Sequence, residues 1–214
     1  PTLSDVGAVT ALLIACDIYE TGSKDAEVHE EDVRKLWQAP GFCIHTDAWL
    51  IVHTTGAAVG YAEVQFREDG KITTRVAVHP DHRGRGIGTL LIWLTEERAR
   101  GMLARVSADM QVALSASASN ANQAARHLYE REGYQVVRQF WRLLIEMAEV
   151  PASTAQQQRG LKLDLKIDVK SWHGTTRLQE QTGMYSAHLY EVYEKVLRAG
   201  CVEREKEALA VCQS

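Results

Sequence analysis

The run VAVHPDHRGRGIGTLL, residues 76–91, constrains the fold more than any other stretch of the chain. Its small and β-branched residues read as a strand that stops at Pro80. Glycines at 84, 86 and 88 then lead directly into an apolar, helix-periodic segment. A helix that opens on glycines presents its first backbone N–H groups unscreened, with the positive end of its dipole behind them. The segment therefore predicts a strand-turn-helix unit that binds an anion at the helix start. Arg83 and Arg85 add positive charge, and Gly84, Gly86 and Gly88 leave room for a phosphate against the backbone, so the candidate contacts are Arg83, Gly84, Arg85, Gly86, Ile87, Gly88 and Thr89. Thr89 occupies the place where a dinucleotide fingerprint needs its third glycine, and there is no GxxxxGK[ST] loop, which sets aside both of those phosphate motifs. A helix entry that merely tolerates glycine is the alternative, but three glycines weaken helix propensity without an evident packing reason.

The surroundings place this unit in a mixed α/β fold. Residues 4–22 and 29–41 carry two helical patterns, with Ser4 or Asp5 as N-cap and Gly22 as a stop. AWLIVHTTG, AAVGYAEVQFREDG and KITTRVAVHPD read as an antiparallel meander, with Asp69-Gly70 marking the second hairpin. After the glycine loop come a helix, the strand ADMQVALSASAS, the helix NANQAARHLYEREG and the strand YQVVRQFWRLLIEM. Strands separated by helices predict a partly parallel sheet with helices covering it.

Two motifs in this order, Arg83-x-x-Gly86-x-Gly88 after a strand and Asn122, Ala125, Leu128, Tyr129, Gly133 and Tyr134 in NQAARHLYEREGY, resemble the GCN5-related N-acetyltransferase (GNAT) superfamily over roughly residues 1–148. The resemblance implies a mixed, partly splayed β-sheet flanked by helices. The strands near 72–79 and 108–117 would diverge, with the arm of acetyl-CoA between them, on the backbone of Val76, Ala77 and Val78. The low bulk of ALSASAS suits such a gap. By the same resemblance Asn122 binds the cofactor arm, although Asn at a helix start serves equally as an N-cap. Tyr129 becomes the general acid that protonates the departing CoA sulfur, since a phenol with an ordinary pKa of about 10 is protonated at neutral pH; an amphipathic core tyrosine is its plain alternative. Glu63, mid-strand with Tyr61 and Gln65 on its face, is the first candidate base and His79 the second. An outward charge on the sheet, a residue of the turn before Pro80, and ordered water as proton carrier stand beside them.

The reaction implied is direct acetyl transfer from acetyl-CoA to a primary amine of a small molecule or peptide. A catalytically silent acetyl-CoA-binding domain is the rival. No covalent nucleophile or metal is called for. The net charge of -4 offers no general field for a polyanion, so neither nucleic acid nor an anionic membrane is expected as a partner. Residues 17–32 hold Asp17, Glu20, Asp25, Glu27, Glu30, Glu31 and Asp32 against Lys24 alone, which suits a cationic amine acceptor as well as a solvated loop. Cys16, Cys43, Cys201 and Cys212 are irregularly spaced and are expected to be reduced, mostly buried thiols in a cytoplasmic protein. No apolar run approaches the length of about 18 residues that spans a bilayer.

The C-terminal third reads as an appendage: a linker at 149–160, a strand-helix-strand unit at 161–200 and a tail at 201–214. LQEQTGM at 178–184 aligns with LYEREGY at 128–134, matching Leu178, Glu180 and Gly183 to Leu128, Glu130 and Gly133, as in a remnant of a second GNAT-like unit. Gln179 stands where the first copy has Tyr129, and Trp172 where it has Asn122, which rules out a second active site. So small a unit needs a partner surface. The expectation is that it adds strands to the closing edge of the first domain, in its own chain or swapped into a homodimer. The superfamily's first strand is expected to be missing ahead of Leu3.

Overall fold

A computed structural model describes residues 1–22, 28–67, 71–146, 162–171 and 185–199. Three helices come first: α1 (Val6–Thr21), α2 (Glu30–Trp37) and the short α3 (Ile44–Asp47). They are followed by the strands β1 (Ala48–Val52), β2 (Ala58–Phe66) and β3 (Ile72–Val78), then α4 (Ile87–Gly101), β4 (Val112–Ser119), α5 (Gln123–Arg131) and β5 (Gln135–Glu146). β6 (Lys162–Asp168) and β7 (Tyr185–Arg198) complete a seven-stranded sheet in the order β1-β2-β3-β4-β7-β5-β6. The pairings are antiparallel except for β3 with β4.

Each face of the sheet buries its own apolar layer. On one side Val6, Val9, Leu12 and Leu13 of α1 and Val33 and Trp37 of α2 pack on Ala48, Tyr61 and Ala77. On the other, Ile92 and Ala99 of α4 and Tyr129 of α5 pack on Val64, Ile72, Leu114 and Tyr193. α1 stops at Gly22, whose φ of 70° lets its N–H reach the carbonyl of Ile18 at 2.8 Å, a left-handed cap that a side chain would strain. Asp5 rather than Ser4 sits at the N-cap position of α1, preceded by one turn of 3-10 helix.

The C-terminal strands join the sheet of their own chain, in two different ways. Among the described residues β6 pairs only with β5 and forms an edge, as expected of an added strand. β7, by contrast, does not extend an edge: it lies between β4 and β5, pairing antiparallel with both. It is held to earlier elements by charge as well. Arg126 of α5 donates to Glu191 at 2.9 Å, and Lys195 donates to Glu96 of α4 at 2.7 Å. The Arg198 guanidinium caps the carbonyls of Leu103 and Val106 at 3.2 Å each. Both strands pair within their own chain here. The stretch 172–182 expected as a helix, the linker 149–160, the Asp69-Gly70 turn and the tail 201–214 lie outside the described residues. Among the described residues no helix is long and apolar enough to cross a membrane.

The feature that positions the site is a divergence between β3 and β4. These parallel strands are in register only at Ile72 with Leu114 and Thr73 with Ser115; beyond that β3 stays with β2 while β4 turns to β7. Antiparallel ladders alternate hydrogen-bonded and non-bonded pairs. The His79 N–H donates to the Val59 carbonyl at 3.0 Å, which makes Ala77 with Tyr61 the next bonded pair. The backbone groups of Ala77 therefore serve β2, whereas those of Val76 and Val78 face the gap.

Candidate active site

A cleft of about 680 Å³ occupies the gap. Its floor is the divergent part of β3 and β4, where Ser117, Ala118 and Ser119 supply little bulk. One end is the glycine loop. Gly84 and Gly86 have φ of 75° and 80°, the left-handed region that glycine enters at no cost, and they turn the chain into α4. The first helical bond of α4 runs from Leu90 N–H to the Gly86 carbonyl, so the N–H groups of Ile87, Gly88 and Thr89 open the helix without intrahelical acceptors. Gly88 has a different reason for being glycine: a Cβ there would come within 2.7 Å of Leu128 Cδ2, so its absence lets α5 approach α4.

The cations around this anion site differ from the sequence expectation. Arg83 lines the cleft and is held there by protein groups: its guanidinium binds Glu20 at 3.1 Å, the Asn122 Oδ1 at 3.4 Å and, through Nε, the Val78 carbonyl at 3.3 Å, and it lies over the Tyr19 ring at 5.0 Å. Arg85 donates to the Asp81 carbonyl at 3.2 Å and is exposed. Arg131, at the end of α5, donates to the Thr89 hydroxyl at 2.6 Å and so brings a cation to the helix start. Neither Arg131 nor His82, both of which line the cleft, stood out in the sequence; Arg131 reaches it because α5 packs against α4, and His82 from the turn before the glycine loop.

Of the two roles the sequence left open for Asn122, the structure shows the N-cap. Its Oδ1 accepts from Ala125 N–H at 3.0 Å as the N-cap of α5, and its Nδ2 donates to Glu20 at 2.5 Å. The result is a bridge between α1, the glycine loop and α5 across the wall of the cleft. Burial pushes the Glu20 carboxyl above its ordinary range, more than the pull of Arg83 brings it down.

Tyr129 lies in the same cleft, 3% exposed, stacked on Tyr193 of β7 at 5.2 Å and edge-on to Tyr134 at 5.3 Å. Those two rings fix its direction, and its hydroxyl makes no hydrogen bond to a described residue. Burial first, then the charge of Glu20, push this phenol well above the ordinary tyrosine range, so it stays protonated throughout neutral and mildly alkaline pH. Glu63 is placed elsewhere. It is 2% exposed beneath α1 and α2, accepting from the Tyr61 hydroxyl at 2.5 Å and from Gln65 at 3.1 Å, and it does not line the cleft. Tyr61 in turn accepts from the Trp37 indole at 2.9 Å. Sequence alternation put Tyr61, Glu63 and Gln65 on one face correctly, but that face is a buried polar network. His79 caps the turn after β3, accepting from Asp81 N–H at 3.3 Å, and does not line the cleft. Among the described residues no group of His, Cys, Asp and Glu could hold a metal ion.

Residues 45–136 match the family model described as acetyltransferase (GNAT) domain. That stretch is similar to a GNAT acetyltransferase domain. The fold of the chain is that of a GCN5-related N-acetyltransferase from Sphaerobacter thermophilus, with a TM-score of 0.76 at 19% identity over 94% of this chain and 95% of that one. It is also similar to a GNAT superfamily phosphinothricin acetyltransferase from Sinorhizobium meliloti in complex with acetyl-CoA (TM-score 0.54, 14% identity, 94% and 88% coverage). A third similar structure is yncA from Salmonella typhimurium with its cofactor acetyl-CoA (TM-score 0.50, 16% identity, 79% and 90%). No curated protein matches the sequence. The S. thermophilus likeness extends through most of the chain, so the C-terminal strands belong to the region compared.

The two cysteines among the described residues divide by burial. Cys16 is buried beside the cleft, donates to the Val78 carbonyl at 3.4 Å, and has its thiol pushed up to about 11, chiefly by burial. Cys43, expected among the mostly buried thiols, is exposed, and a hydrogen bond from Thr46 lowers its pKa. Because thiolate is the reactive form, brief iodoacetamide treatment at pH 8 is expected to label Cys43 and spare Cys16. Peptide mapping by mass spectrometry checks this; labelling of Cys16 at a comparable rate would contradict the burial.

Proposed function

We propose that this protein transfers an acetyl group from acetyl-CoA directly to a primary amine, with Tyr129 as the acid. The observation that carries this reading is the juxtaposition, in one cleft, of an anion-binding helix start, strand backbone that β2 does not use, and a phenol whose hydroxyl makes no hydrogen bond to a described residue. The residues present suit acetyl-CoA. The N–H groups of Ile87, Gly88 and Thr89, with Arg85 and Arg131 nearby, would hold its diphosphate, and the backbone of Val76 and Val78 its amide-bearing arm. When bound, that cosubstrate supplies an acetyl thioester.

The protein's own part is then binding and proton placement. Tyr129 holds a proton at its hydroxyl in the cleft and gives it to the sulfur as the C–S bond breaks and the amine nitrogen forms its C–N bond. The acceptor enters from the α1 and α2 side, where Asp17 and Asp32 line the cleft and favour a cationic amine. Because Glu63 and His79 stand outside the cleft, the amine proton passes to water. Glu63→Gln is expected to leave kcat within about threefold of wild type, since it touches no reacting atom. A loss of a hundredfold would restore Glu63 as the base.

CoA release measured over an amine panel, with calorimetric binding of acetyl-CoA, tests the proposal. Tight acetyl-CoA binding without transfer to any amine would favour the silent acetyl-CoA-binding reading. Gly86→Ala places a side chain at φ 80°, a strain of about 1–2 kcal/mol. There is open space around its Cβ, so the penalty falls on backbone conformation, and the Kd for acetyl-CoA should rise about tenfold with only a small fall in Tm. An unchanged Kd would argue against the glycine loop as the anion site.

A further inference from the structure

The cleft is lined by charges of both signs, and Asp17, Glu20 and Arg142 all act on Tyr190. Asp17 and Asp32 come from the helical side. Another wall is a sheet face that the register defines. Arg142 of β5 is paired directly with Lys166 of β6 on one side and with His188 of β7 on the other, while Phe140 is paired with Tyr190. Directly paired residues, and residues two apart in one strand, project from the same face. His188, Arg142 and Lys166 therefore form a basic row across three strands, with the aromatic pair Phe140 and Tyr190 in the row beside it.

Phe140, Arg142, Lys166 and Tyr190 all line the cleft. The Phe140 and Tyr190 rings are stacked, with centroids 5.5 Å apart and planes at 10°, and Lys166 Nζ lies 5.9 Å from the centre of the Phe140 ring. Asp168 shares the aromatic row, but it accepts from Lys170 N–H at 2.9 Å and is not part of the cleft wall. Tyr190 lies within the influence of both walls: burial raises its phenol, Arg142 lowers it, and the charges of Asp17 and Glu20 raise it again. Like charges directly opposite in a sheet repel, and an anion laid over Arg142 and Lys166 would turn that repulsion into two attractions. A polyamine would gain from the acids but would meet these cations.

We infer that the acceptor is a zwitterion, a free amino acid with an apolar side chain. Its ammonium faces Asp17 and Asp32, its carboxylate lies on Arg142 and Lys166, and its side chain lies against Phe140 and Tyr190. The inference rests on acetyl transfer only for what becomes of the amine; its binding half stands apart. Calorimetry on the full chain with CoA present would compare L-phenylalanine with phenethylamine, L-leucine with 3-methylbutylamine, and L-methionine with 3-(methylthio)propylamine. The expected result is at least about tenfold tighter binding of an amino acid than of its decarboxylated partner. Arg142→Gln and Lys166→Gln should each remove most of that ratio and leave the Kd for acetyl-CoA unchanged. Lys166 lies on an edge strand with its side chain exposed, so its variant keeps the test open if Arg142→Gln fails to fold. Equal binding of the paired compounds, a ratio that survives both variants, or no binding of any of the six would overturn the inference. Amino acid binding without acetylation would instead strike the proposed function and leave the inference standing; transfer to amines with no preference for a carboxylate would do the reverse.

Discussion

A chain ending at residue 160 is expected not to fold. It lacks β6, an edge strand, and β7, an interior one that pairs with β4 along Val112–Ser119 and with β5 along nearly its whole length. Without β7 those two strands lose their shared neighbour, and buried N–H and C=O groups on both sides of the gap lose their partners, each at a cost of about 1–3 kcal/mol. The same truncation removes Tyr193, fully buried against Tyr129, and the acceptor for Arg126 at Glu191. A native domain is stable by only about 5–15 kcal/mol, so losses of this size exceed the margin. Circular dichroism melts and soluble yield measure the outcome. The milder Tyr193→Ala, a large-to-small change in the core, should cost about 3–5 kcal/mol. It should also lower activity, because the ring that orients Tyr129 is gone. A truncated chain that melts cooperatively and binds acetyl-CoA would show that β7 is dispensable.

Tyr129→Phe carries the second large effect. The substitution keeps the ring between Tyr193 and Tyr134 and removes a hydroxyl that makes no hydrogen bond to a described residue, so the fold should be almost unaffected. Loss of a positioned acid lowers the rate by about 10²–10⁴, and kcat should fall by that factor with the Kd for acetyl-CoA unchanged. The pH profile gives a separate check. Because burial raises the Tyr129 phenol, its acid form persists above the ordinary tyrosine range, so wild-type activity should rise with pH as the amine loses its proton and should show no fall attributable to Tyr129 up to about pH 10. A kcat unchanged by the substitution would remove Tyr129 from the mechanism. A kcat that fell together with acetyl-CoA affinity would make it a binding residue.

The part of the site that was legible in the sequence is the part built from near neighbours. Glycines at 84, 86 and 88 between a β-branched run and an apolar helix can form little else than an exposed helix start, and Asn122 and Gly133 bracket a helix of the right length to carry Tyr129 on its inner face. Such features depend on residues within one or two turns of each other. Glu63 shows where this stops. A period of two groups it with Tyr61 and Gln65, but the period cannot say whether that face meets a ligand or lies beneath α1 and α2. Arg83 shows a related limit: its position in the loop suggested a phosphate contact, but local sequence could not show that Glu20, 63 residues earlier, and Asn122, 39 later, hold its guanidinium at the cleft wall.

The C-terminal strands make the contrast sharpest. Alternation was enough to mark residues 161–169 as a strand, whereas the periodicity of 187–197 also suits a helix and its reading as a strand rested on the internal repeat; so few residues could not stand alone. Whether they would form an edge, swap into another chain or enter the sheet was decided by tertiary structure, since β4, having diverged from β3, offers an open side that only a strand antiparallel to both β4 and β5 can fill. That insertion also brings Tyr193 behind the acid and places Tyr190 beside Phe140 in the cleft, so a segment that reads as structural from its sequence contributes directly to the site. Sequence determines elements because helix and strand periodicity are local. The partner each element meets depends on which unsatisfied backbone and apolar faces remain once the rest has packed.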